Sequence, residues 1–125
     1  MSNPNIVAVT SILGKADELI PANNTSNVLL ANNTGSNTVL KINQIVAANV
    51  DGTSAVNTTV GINSTAAGGG TNFPIVSTVS VPADASLIVV DKTTAIYLEE
   101  DKSITVQSGT ASKIAYTISY EIIAS

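Results

Sequence analysis

The dense group of ionisable side chains in this sequence is Glu99-Glu100-Asp101. On a strand, Glu99 and Asp101 would share a face about 7 Å apart. Two carboxylates at that distance suit an inverting glycosidase, one acting as acid and the other as base. The same oxygens would suit Ca²⁺, although the Asp-rich loop with its central Gly is missing. Against both stands the setting: Leu98 closes one apolar run and Ile104 opens the next, so Glu99 to Lys102 is expected to be a solvated turn. Asp17-Glu18, Asp84 and Asp91 read as surface or turn residues too, Asp84 following Pro82-Ala83 where a β-turn is expected. A nucleophilic Ser or Thr needs a base beside it. The chain has no His, so Lys or a carboxylate would have to serve, and Ser and Thr are too abundant for nearness to a Lys to mean anything. Gly68-Gly69-Gly70 lacks the Lys-Ser/Thr that completes a phosphate loop. An enzyme is not expected, and neither is a cofactor, a metal or a catalytic residue.

Tyr97 is a different kind of candidate. It is out of phase with Ile96 and Leu98, so it is expected to face away from their layer. An exposed Tyr between apolar neighbours suits a protein interface anchor. A carbohydrate-binding module would also present an aromatic side chain, but generally several. One Phe, three Tyr and no Trp make a lectin-like role the weaker reading.

The elements that must position such residues are strands. At 125 residues the chain fits one domain, 1–125, able to bury about two thirds of its unfolded surface. Its apolar content is aliphatic and largely β-branched, which suits a pleated, half-buried surface. Asn, Ser and Thr make up about a third of the residues, and charged residues only 11%, against about 25% in an average soluble domain. Few charges and many small polar groups suit a surface that becomes partly covered. Without Cys, disulfides and thiolate metal sites are excluded. The five basic residues are all Lys and the net charge is −4, which argues against phosphate neutralisation and hence against nucleic acid as a partner. Met1 to Asn5 lacks the basic start of a secretory signal, and no apolar run reaches the length of a membrane span. The expectation is a soluble product made in a cytoplasm, with no membrane partner. Asn-x-Ser/Thr triplets at Asn23, Asn24, Asn32, Asn57 and Asn63 are read as turn formers in loops, not glycosylation sites.

Period-2 alternation runs through much of the chain. Ile114, Tyr116, Ile118, Tyr120 and Ile122 point one way, with Lys113, Thr117, Ser119 and Glu121 opposite, the pattern of a strand with one face on a core. Val56, Thr58, Val60 and Ile62 repeat it, as do Ile75, Ser77, Val79 and Val81, and Ile104 and Val106. From Thr38 to Val50 the face Leu40, Ile42, Val46, Ala48 is interrupted at Gln44, which predicts a bulge near Asn43-Gln44. Asp51-Gly52 is expected to make a hairpin turn, and Ala66 to Gly70 a flexible loop tip dividing two similar halves. The best helical candidate, Ser11 to Ile20, holds Gly14 and ends at Pro21, leaving room for one short turn at most. Leu87-Ile88-Val89-Val90 is apolar on both faces. Two arrangements fit: a central strand covered on both sides, or one side kept for a partner. Val28-Leu29-Leu30 raises the same question. The count comes to roughly nine or ten short strands, an all-β antiparallel β-sandwich or jelly-roll-like fold.

Val81-Pro82-Ala83-Asp84-Ala85-Ser86-Leu87, Ile96-Tyr97-Leu98-Glu99-Glu100, Ser103-Ile104 and Ile118-Ser119-Tyr120-Glu121 together resemble small all-β virion structural proteins of tailed bacteriophages, the marine and cyanobacterial ones above all. The opening Ile6 to Lys15 and the central Ala47 to Thr53 fit the same set, while Ala22 to Asn37 and Ser64 to Asn72 match least. The resemblance implies a non-enzymatic capsid decoration (cement) protein on the virion surface, with the major capsid protein and copies of itself as partners. A tail, neck or fibre-associated subunit is the alternative, and a sugar-binding β-sandwich for host adsorption is the alternative from another class. The expected partner surface is Leu87, Ile88, Val89, Val90 and Tyr97, together with an N-terminal arm over residues 1–5 (Ser2, Asn3, Pro4 and Asn5) able to add a strand to a neighbour.

Overall fold

The computed structural model describes residues 11–124, so the expected arm at residues 1–5 lies outside the described residues. The β-branched runs form strands β1 (Ser11–Leu19), β2 (Asn27–Asn32), β3 (Thr38–Asn49), β4 (Val56–Asn63), β5 (Asn72–Val81), β6 (Ser86–Val90), β7 (Ile96–Leu98), β8 (Lys102–Ser108) and β9 (Ile114–Ala124), with one 3-10 turn at Lys92–Thr94. One sheet has the order β1-β9-β3-β6, with β7 also paired to β3, and the other has the order β2-β8-β4-β5. All pairs are antiparallel, and one set is nested, β1 with β9, β2 with β8, β3 with β6 and β7, and β4 with β5, while β3 with β9 and β4 with β8 join these into the two sheets. This is a long hairpin folded over on itself, the jelly-roll arrangement. The expected all-β sandwich is what forms.

Alternation along β9 explains the core. Ile114, Tyr116 and Ile118 are completely buried, facing Val60, Ile104 and Val106 of the opposite sheet. In β3 the predicted bulge is present, the pairing with β9 shifting between Ile42 and Gln44. Its consequence differs from the expected single face. Leu40 and Ile42 point inward, and after the extra residue Ile45 and Ala47 do so, which turns Val46 and Ala48 outward. The β5 face is broken in the same way. Thr78 adopts φ 53°, and the partners of Thr58 and Val60 become Val79 and Val76, so Ser77 leaves the ladder.

Other expectations are corrected. Ser11 to Leu19 is a strand, because β9 offers it an unbroken nine-residue ladder that local propensity does not anticipate. Asp51-Gly52 makes no hairpin, since β3 and β4 belong to different sheets. Asp51 instead folds its own loop, its carboxylate accepting from Thr53 N at 2.9 Å and Ser54 N at 3.3 Å, which holds its pKa below the ordinary value. The hairpin is β4–β5, and its Gly-rich tip is pinned. Asn63 Nδ2 donates to the Gly68 and Gly70 carbonyls, and its Oδ1 accepts from Thr65 N and Gly70 N. Gly68 is required there: its φ is +82°, and a Cβ would lie 2.7 Å from Val28 Cγ2. The turn expected at Pro82-Ala83-Asp84 is present, Ala85 N donating to Pro82 O at 3.1 Å with Asp84 at φ 56°.

Asn63 has two counterparts. Asn32 donates to the carbonyls of Thr38 and Leu98, and Asn49 to those of Ser54 and Val81. All three are buried last residues of strands, each satisfying backbone groups where the chain leaves its sheet. The triplets at Asn32 and Asn63 are therefore closing devices of the fold. Asn57 lies within β4, not in the expected loop.

Tyr120 joins the edge strand to the core through its hydroxyl, which donates to Asp17 Oδ2 at 2.9 Å. Burial, then that bond and the Asp17 charge, push the phenol up to about 12. The unfolded phenol ionises near 10, so between pH 10 and 12 the unfolded chain releases a proton that the folded chain keeps. Stability is full below pH 10 and falls as pH rises through 12. Urea midpoints measured at pH 9, 10.5 and 11.5 are expected to drop, and Tyr120→Phe to flatten part of that slope.

Candidate functional site

Of the two arrangements anticipated for strand β6, the one covered on both sides does not form: β6 has one face on the core and one open. Only one of its four apolar residues faces outward. Leu87 and Val89 lean inward against the core and Val90 is buried, paired with Ile45, whereas Ile88 stays 59% exposed opposite Val46. Of the four expected surface residues Leu87 to Val90, Ile88 is the one exposed to solvent. Apolar continuity there reflects a register shift between Ile45 and Val46, which lets Val90 dip into the core. Tyr97 points away from Ile96 and Leu98, is 49% exposed and sits opposite Lys41.

Ile88 and Tyr97 consequently lie one after the other along the same side of β3, on one outer sheet face. Their spacing is set by the turn between them. Asp91 caps the 3-10 turn, its Oδ1 accepting from Thr93 N at 2.9 Å and Thr94 N at 3.2 Å, while Thr94 Oγ1 accepts from Asp91 N. Those donors hold the Asp91 carboxyl below its ordinary pKa, led by the Thr93 hydroxyl. Beside the two apolar residues the face carries Gln44, Val46 and Ala48 of β3 opposite Ser119, Thr117 and Ala115 of β9. Lys41 stands opposite Glu121 there, Asn43 Nδ2 donates to Glu121 Oε1 at 2.9 Å, and Glu18 of β1 stands opposite Thr117.

The acidic trio does not form a carboxylate pair for chemistry. Glu100 is buried, not solvated, and its two oxygens accept from Gly35 N at 2.9 Å and Asn37 N at 3.2 Å. Asp101 turns the chain at φ 62° and accepts from Thr34 Oγ1 at 2.8 Å. Glu99 lies 3.6 Å from Lys102 Nζ. Glu100 and Asp101 clamp the β2–β3 loop to the β7–β8 crossing. In the sequence nothing distinguishes Glu100 from its neighbours, because its donors come from a segment more than sixty residues away. Among the described residues no three His, Cys, Asp or Glu side chains gather to hold a metal ion, and no helix is long and apolar enough to cross a membrane.

No protein-family model matches the chain, and no curated protein matches it either. Among solved structures, one that it resembles comes from Bacillus endospore appendages, described as forming a novel family of disulfide-linked pili. The two share 16% identity over 94% of this chain and 95% of that one, with a TM-score of 0.49.

Proposed function

We propose that this chain is a non-enzymatic structural protein of a tailed-phage virion, a capsid decoration protein that binds the major capsid protein through the outer face of the β1-β9-β3-β6 sheet. The observation that carries the reading is the pair Ile88 and Tyr97, both exposed on that face along the same side of β3. An exposed aromatic and an exposed aliphatic side chain on one face are the kind of anchors an interface hot spot is built on. The sequence resemblance to phage virion proteins supplies the partner. Repetition over many copies on a shell would let each contact be weak.

The test is occupancy. Purified protein is added to capsid shells stripped of decoration, and copies per shell are counted. Hundreds of copies are expected, falling at least tenfold for the double variant Ile88→Asp, Tyr97→Ala. Binding of six or twelve copies would move the protein to the neck or tail, and undiminished binding by the double variant would remove this face from the interface.

A further inference from the structure

A jelly roll has four sheet edges, and unpaired edge strands invite pairing unless they are blunted. Three of them here are blunted by recognisable devices. Strand β5 carries Pro74 and the left-handed Thr78, with two register shifts. Strand β2 is six residues long and shifts register beside Leu29. The β6–β7 edge is interrupted by the capped 3-10 turn. Strand β1 is the exception. It runs nine residues in unbroken register with β9 and pairs with no other described strand. It also gathers exposed apolar side chains: Ile12 at 57%, Leu13 at 56% and, one residue past its end, Ile20 at 52%.

The geometry points to β1 as a homotypic docking strand, pairing antiparallel with β1 of a second copy about a twofold axis at Ala16. The occupant is named by the residues themselves, because Ile12-Leu13-Gly14-Lys15-Ala16-Asp17-Glu18-Leu19-Ile20 reads as a near palindrome in residue character. With Ala16 on the axis, Lys15 stands opposite Asp17 of the second copy, Leu13 opposite Leu19, and Ile12 opposite Ile20. Every such pair is made twice, as an isologous contact requires. These join apolar to apolar or opposite charges, the pairings that stabilise neighbouring strands, and Gly14 stands opposite Glu18, where it offers no side chain to oppose. Slipping by two residues destroys the match, setting Lys15 against its own copy in one direction and Asp17 against its own in the other. The same two charges that would discourage a foreign strand at this edge are satisfied by a copy of the chain. Pairing would merge two five-stranded sheets into one continuous sheet.

The inference rests on the multi-copy reading above and deepens it, yet the two fail separately. A chain that pairs through β1 and ignores capsid shells overturns only the virion assignment, whereas a decorating chain that never pairs through β1 overturns only the homotypic strand.

Two sets of variants test it. Ala16 is exposed, and on the axis its Cα would lie about 4.5–5.5 Å from its copy, within the range a disulfide spans. The chain has no native Cys, so Ala16→Cys is expected to give a covalent dimer under mild oxidation. Ile12→Cys places its two thiols about 26 Å apart in the same dimer and is expected to remain uncross-linked. In sedimentation, Lys15→Asp alone and Asp17→Lys alone each set like charges together and are expected to weaken the dimer about tenfold. Mixing those two variants restores both charge pairs and is expected to recover it. Equal cross-linking of the two Cys variants, a wild-type chain monomeric throughout, or no recovery on mixing would each overturn the proposal.

Discussion

Replacing Tyr116 with alanine is expected to cost about 3–5 kcal/mol, a large part of the roughly 5–15 kcal/mol that holds an ordinary domain together. The ring is completely buried between the sheets, and its hydroxyl is a polar contact across them. It shares a hydrogen bond with Thr58 Oγ1 of β4 and donates to the Gln107 carbonyl of β8 at 3.0 Å. Alanine leaves both a cavity and two stranded polar groups. Tyr116→Phe separates the two effects, keeping the volume and removing the bonds, at an expected cost of about 1–3 kcal/mol. Adding Thr58→Val to Tyr116→Phe is expected to recover part of that loss, because the unpaired hydroxyl disappears. Urea unfolding at unchanged m-value measures all three. A phenylalanine variant as stable as wild type would show that the inter-sheet bond contributes nothing.

The second large effect is expected at Asn32. Its Nδ2 donates to Thr38 O at 2.9 Å and Leu98 O at 3.0 Å, and its Oδ1 accepts from Ser36 Oγ at 2.6 Å and Thr38 Oγ1 at 3.2 Å. One buried amide thus fastens β2, the loop after it and the end of β7. Asn32→Ala is expected to destabilise by about 3 kcal/mol, since buried carbonyls then lack their donor. Asn24 is the comparison: it begins an equivalent triplet but is exposed in the β1–β2 turn, and Asn24→Ala is expected to stay within about 0.5 kcal/mol of wild type. The same midpoints measure both. Equal effects at the two positions would mean that burial of the triplet is irrelevant.

Much of the fold was legible because it is written at period two. Ile114 to Ile122 announces its core face directly, and β9 forms it without interruption. The bulge at Asn43-Gln44 was legible for the same reason, as a polar residue falling where the alternation demands an apolar one. Tyr97 was legible as outward, being out of phase with two apolar neighbours. Strand β1 was not. Its composition is indifferent between turn and strand, and the ladder that decides it comes from β9, about a hundred residues later. Leu87 to Val90 misled because an apolar run records how many residues are apolar and not where a register shift turns them.

At the acidic trio and Asp51-Gly52 the limit is of another kind. The types of residue at both places mark turns, and turns are found there, but a turn residue carries no information about which sheet the chain enters next. In a jelly roll most turns cross between sheets, so Asp51-Gly52 leads from β3 to β4 without joining them, and Glu100 is drawn under the β2–β3 loop.

What this sequence determined by itself is an all-β chain, an aliphatic core, and the absence of His and Cys chemistry. Those follow from residue type and short-range periodicity alone. Tertiary structure decided the nesting of the strands, the burial of Glu100, which residue of the apolar run Leu87 to Val90 stays exposed, and, among the described residues, the unblunted edge at β1. Each depends on contacts between residues far apart in the chain, whose pairing local alternation permits but does not select.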